Sequence, residues 1–203
     1  MSVTHSKVSA IADGGDTSLV QPSDWNAVHV GYPDILFADA PNQNFDLTNG
    51  GAGGAVTIIS ESVTGIAAGD FVDLEIFFSI LNNSGSSRTY APILTLGTLV
   101  ITATDLAAVG ASATSRSIRK STARFSVSAT DLAFGQWFQH STAAAAVDTD
   151  VALTTNLNAA AWDTTTDDIT GTQTLSLTVS SNSTTATQTL TLHSYVIRKI
   201  SSV

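Results

Sequence analysis

The sequence predicts an all-β protein, an antiparallel jelly-roll β-sandwich with an extended N-terminal arm. Three observations carry this expectation. Val72, Leu74, Ile76, Phe78 and Ile80 alternate with residues that include Asp73, Glu75 and Ser79, the period of two with which a strand buries one face. The acids are nearly all Asp, with Glu61 and Glu75 the sole glutamates, and Asp favours turns where Glu favours helices. Apolar residues recur in short regular runs, and no long helical pattern emerges.

The elements follow in order. Residues 1–33 hold sparse, irregular apolar positions and turn signals at Gly14-Gly15-Asp16 and Gln21-Pro22-Ser23-Asp24, so they read as an arm ordered by docking. Ser23 or Asp24 caps one short helical turn through Trp25, Asn26 and Ala27. The sandwich occupies 34–203. Ile35, Leu36 and Phe37 start it, and a glycine loop at 50–54 precedes a strand at Ala55–Ser60. The alternating strand at 72–80 ends at Asn82-Asn83-Ser84-Gly85. Arg88–Leu96 and Thr98–Ala103 form a pair that turns near Gly97. Ser117–Ala129 points Phe125 and Val127 inward, and Leu132–Gln139 follows. Leu175, Leu177 and Val179 alternate with Thr and Ser, and the last strand runs from Leu190 to Ile197. That makes about eight strands, a number that suits a jelly roll. Between Ala143 and Gly171 the reading is a long crossover, with Ala143–Ala146 and Ala159–Ala161 as interrupted helical turns.

Composition excludes several classes. Only 12% of the 203 residues are charged, about half the usual share, while Ser and Thr supply roughly a quarter. Without cysteine there is no disulfide framework, thiolate metal site or Cys nucleophile. No apolar run approaches the ~18 residues of a membrane span, and the opening residues do not read as a signal peptide. A net charge of −9 argues against nucleic-acid binding.

The candidate chemistry is sparse. His5, His29, His140 and His193 lack the spacing of a metal pair; His5 and His29 with Asp24 make the best candidate, and hydrogen-bonded surface histidines are the preferred reading. Asp148, Asp150, Asp163, Asp167 and Asp168 lack calcium-loop spacing and read as turn residues. No Gly-x-Ser-x-Gly elbow, carboxylate pair or phosphate-binding glycine loop appears, so the expectation is a non-enzyme with no cofactor and no metal. Arg116, Arg119, Lys120 and Arg124 concentrate four of the eight bases in nine residues. They form either a docking stripe for an acidic partner or, as preferred, a solvated strand face pairing with acids of a neighbouring subunit. Trp137 and Trp162 could make a glycan-stacking platform; Trp137 lies beside Phe134 and Phe138, so core or subunit interface is preferred for it.

The string Thr4-His5-Ser6-Lys7-Val8-Ser9-Ala10-Ile11, then Asp13-Gly14-Gly15-Asp16-Thr17-Ser18-Leu19-Val20, then Pro22-Ser23-Asp24-Trp25-Asn26 and His29, resembles an N-terminal motif of tailed-bacteriophage virion structural proteins. It covers about 30 residues, and Asp-Trp-Asn-x-x-His is its most specific part. Ala12 departs from the proline the motif leads one to expect. More weakly, Arg88-Thr89-Tyr90 leading into Leu96–Ile101, and Trp162-Asp163-Thr164-Thr165 before a Thr/Leu strand, look like the paired strands and penultimate connection of phage jelly-roll appendages.

The resemblance implies a virion protein on the outer surface of capsid or tail, decorating or stabilising the capsid or forming a short head fibre. The arm would dock on the major capsid protein or another virion protein through His5, Lys7, Asp24, Trp25, Asn26 and His29, with Trp25 the buried anchor. The head would be a homotrimer, and low-charge, Thr- and Ala-rich strands suit such packing. Neither membrane nor nucleic acid is an expected partner. The alternative is a tail-fibre or tail-tip receptor-binding module, in which Trp137, Trp162 and the loops at 82–88 and 181–186 contact host surface glycans.

Overall fold

A computed structural model describes residues 33–48, 55–102, 109, 111, 116–127, 133–141, 157–182 and 188–201. These form an all-β, antiparallel sandwich of eleven strands: β1 (Asp34–Asp39), β2 (Gln43–Asp46), β3 (Ala55–Ile66), β4 (Phe71–Asn82), β5 (Tyr90–Leu96), β6 (Leu99–Thr102), β7 (Arg116–Ser126), β8 (Ala133–Ser141), β9 (Leu157–Thr165), β10 (Gly171–Ser181) and β11 (Gln188–Ile200). Seven of them make one sheet in the order β1-β11-β4-β7-β8-β9, with β2 pairing β11 beside β1. The other sheet runs β3-β10-β5-β6. Every named strand pairing is antiparallel.

The alternation of β4 does what the sequence leads one to expect. Val72, Leu74, Ile76, Phe78 and Ile80 all point into the core. β4 lies between β11 and β7, so its inward face is covered and its outward face becomes the middle of the large sheet. Leu94 and Leu96 of β5, Leu99 and Ile101 of β6, and Leu175, Leu177 and Val179 of β10 meet that face from the small sheet in one continuous core. Each fully buried aliphatic side chain contributes about 1.5–3 kcal/mol relative to exposure.

Two glycines set the geometry at one flank. β5 and β6 turn in two residues, with Leu96 opposite Leu99. Gly97 has φ +59 and Asn42 is the sole positive-φ non-glycine among the described residues, so Gly97-Thr98 has glycine first, as a type II′ turn demands. β6 then packs against β8 and β9 and brings the two sheets together on that side. Gly135 of β8 permits the approach, because a Cβ there would stand 2.8 Å from Ile101 Cδ1 and 3.0 Å from Phe125 Cδ1.

Two expectations change. Ala159–Ala161 is not a helical turn, and the segment around it is not simply a crossover. Both belong to β9, which extends the large sheet by pairing with β8 from His140–Leu157 to Ala133–Thr165. Alanine is a helix former, but pairing to a neighbouring edge overrides that weak preference. Likewise Trp162-Asp163-Thr164-Thr165 is strand and not connection. Ala143–Ala146, Asp148 and Asp150 lie outside the described residues.

Candidate functional site

The outward face of the large sheet carries the densest set of chemically capable side chains among the described residues. It is read most easily across the strands. Register places Ile35 opposite Arg198, Arg198 opposite Asp73, Asp73 opposite Arg124, Arg124 opposite Gln136 and Gln136 opposite Trp162. Six strands thus contribute one side chain each to a single transverse row. Neighbouring strands are ~4.8 Å apart, so Asp73 and Trp162 stand about 14 Å from each other.

The charges in this row and the next are fixed by one another. Arg124 donates from Nε and NH2 to the two oxygens of Asp73, both at 2.7 Å, a bidentate pair. Its guanidinium also lies 5.3 Å from the centroid of the Phe71 ring. The hydrogen bond to Asp73 holds the Arg124 pKa above its ordinary value. One row along, Glu75 accepts Lys120 at 3.1 Å and faces Arg198 at 3.8 Å. Between these pairs lies an open groove of about 300 Å³, lined by Asp73, Glu75, Thr122, Arg124, Gln136 and Arg198, with Phe138 along its wall.

Trp162 flanks the groove. It is 71% exposed, and Phe134 stacks on it with ring centroids 6.2 Å apart and planes tilted by 22°. Trp137 faces the other way. It is 1% exposed and belongs to the core, so the two tryptophans do not form one platform. The pleat explains the difference: adjacent β8 positions point to opposite faces, and Trp162 is opposite Gln136 while Trp137 is opposite Ala161. The loop at 82–88 and the described start of the loop at 181–186 do not join Trp162 either, and 183–186 lie outside the described residues. Asn82 is nine positions along β4 from Asp73, about 30 Å at strand rise. Asn182, whose backbone N–H donates to Thr89 O, lies at the Asn82 end.

The basic cluster divides as well. Arg119 points inward and is 1% exposed; burial lowers its pKa to about 10, so it stays charged at neutral pH. Arg116 donates to Thr191 Oγ1 at 2.8 Å. Lys120 and Arg124 pair with acids of this chain's own β4, which replaces the expectation of acids from a neighbouring subunit. Asp168 accepts the backbone N–H of Thr170 at 2.8 Å in the connection between β9 and β10, as a turn residue does. Asp163, expected in a turn, is instead a strand residue of β9 opposite Gly135 and accepts the Thr164 N–H at 2.8 Å. Among the described residues no group of three or more His, Asp or Glu is placed to hold a metal.

His193 sits at a bulge of β11. With Asn42 Oδ1 as acceptor, its Nδ1–H donates at 2.9 Å and its Nε2 accepts from the Ser79 hydroxyl at 2.9 Å. Partial burial, reinforced by the charge of Arg116, lowers its pKa. The arm residues His5, Lys7, Asp24, Trp25, Asn26 and His29 lie outside the described residues, as does the side chain of His140.

The sequence reading missed Asp73, Glu75, Gln136 and Arg198 as groove residues, and Phe134 as the ring that stacks on Trp162. The signal available was outward alternation on β4 and β8; strand order, needed to put those outward positions side by side, is not a local property. No protein-family model matches the chain, and no curated protein matches it in sequence.

Proposed function

We propose that this chain is a non-enzymatic structural protein of a tailed-phage virion, anchored through residues 1–33 and projecting its sandwich as a head that decorates or stabilises the capsid or forms a short head fibre. The observation that carries the reading is the string from Thr4 to His29, with Asp24-Trp25-Asn26 and His29 at its end. The strand order supports it. Taking β1 with β2, then β3, β4, β5, β6, β7, β10 and β11 as eight strands, one sheet runs first-eighth-third-sixth and the other second-seventh-fourth-fifth. We read this as a jelly roll, two interleaved Greek keys, with β8 and β9 inserted between its sixth and seventh strands. In this reading the head is a homotrimer, since closed symmetry covers sheet edges that carry few charges.

The test is location. Proteomic analysis of gradient-purified particles should find the chain, and particle imaging should place it on the outer surface of capsid or tail. Its absence from particles whose capsid and tail proteins are all recovered overturns the reading.

A further inference from the structure

We propose that the outward face of the large sheet is a saccharide-binding site, with Trp162 as the stacking platform and Gln136, Arg124 and Asp73 as the hydroxyl-binding row beside it. The inference does not rest on the virion reading.

Three features point to this ligand. First, Trp162 is the most exposed large hydrophobic among the described residues, and its indole is braced by Phe134. A flat apolar surface held in place from one side fits the C–H face of a pyranose ring, which can stack on it as rings do on aromatic residues. Second, the row leading away from the indole is polar and positioned in advance. Gln136 brings an amide donor and acceptor, and the bidentate Arg124–Asp73 pair leaves further acceptor capacity on both carboxylate oxygens. Paired charges with fixed geometry suit vicinal hydroxyls, whose own donors and acceptors alternate. Third, the dimensions suit a short oligosaccharide. The groove is about 300 Å³, at the small end of ligand sites, and the row from Trp162 to Asp73 extends about 14 Å.

Other ligand classes fit less well. Protein interface cores are depleted of charge, whereas this groove places Lys120, Arg124 and Arg198 around Asp73 and Glu75. Nucleic acid is opposed by the net charge of −9. Within the groove lining, however, Arg124 and Arg198 balance Asp73 and Glu75, so no net negative charge repels acidic sugars, and they are tested along with neutral ones.

The experiment uses the full chain on an array of neutral and acidic oligosaccharides of bacterial, plant and animal types. The tightest-binding oligosaccharide is then titrated calorimetrically against wild type, Trp162→Ala, Trp162→Phe and Gln136→Ala. Binding should fall about tenfold or more with Trp162→Ala, less with Trp162→Phe, and several-fold with Gln136→Ala. Melting temperature should fall by no more than a few degrees in Trp162→Ala, because the side chain is largely exposed and loses only its stack on Phe134. Failure to bind any glycan, or equal affinity of wild type and Trp162→Ala, overturns the proposal. So does a change in sedimentation of Trp162→Ala, which would mean that the indole packs against a second copy of the chain.

Discussion

Tyr195 donates its hydroxyl to Glu61 Oε1 at 2.6 Å and thereby ties β11 of the large sheet to β3 of the small one. Burial first, then the bond to Glu61 and the charges of Glu61 and Asp39, raise its pKa, so it remains a donor at any working pH. Tyr90 is also buried, but its hydroxyl makes no hydrogen bond among the described residues. The two positions predict opposite outcomes in urea unfolding. Tyr195→Phe should lose about 1–2 kcal/mol, the worth of a hydrogen bond to a charged acceptor with one partner still able to hydrate. Tyr90→Phe should be neutral or stabilising, because it removes a hydroxyl whose desolvation is uncompensated. His193 gives a pH dependence. Its folded pKa lies below the unfolded value near 6.5, so the unfolded chain takes up its proton first on acidification. Its contribution is therefore complete above about pH 6.5 and declines as pH falls below that value. Between pH 7.5 and 5.5 the wild type should lose more thermal stability than His193→Asn; parallel pH profiles would contradict the role. None of these partnerships is visible in sequence, because Tyr195 and Glu61 are 134 residues apart and His193 and Ser79 are 114 apart.

At the scale of elements, β4 was legible because its pattern is local: five apolar positions at period two leave one choice of face. β2 and β9 were not. Gln43–Asp46 has one large apolar residue, Phe45, and forms because β11 is thirteen residues long and β1 covers only its C-terminal part. β9 forms because β8 presents an edge to it. Both are products of pairing, and their own sequences do not demand strand. The flank where β6 meets β8 supplies a further prediction. Gly135→Ala should cost about 1–3 kcal/mol in denaturant unfolding, since the added methyl meets Ile101 and Phe125 in a filled core. Gly97→Ala should cost about 1–2 kcal/mol through its left-handed backbone, and the Gln173 side chain must also move. A Gly135→Ala protein as stable as wild type would mean that the sheets can separate there without loss.

For the whole molecule, composition and alternation were enough to predict an all-β sandwich, and that is the observed architecture. The groove needed more. Ile35, Arg198, Asp73, Arg124, Gln136 and Trp162 come from six strands scattered between residues 34 and 200, and only the sheet order aligns them. Of these, Trp162 was singled out as a glycan contact and Arg124 as part of the basic cluster; Trp137 is core, the reading preferred for it over a shared platform, because adjacent positions of β8 face opposite ways. The proposed division of labour places attachment in residues 1–33 and recognition or projection in 34–203. It is tested most directly by deleting residues 1–33 and mixing the truncated and full-length proteins separately with particles that lack the chain. The account predicts a truncated protein with the same cooperative unfolding and β-rich circular dichroism, and no cosedimentation with particles that bind the full chain. Particle binding by the truncated protein equal to that of the full chain would contradict it.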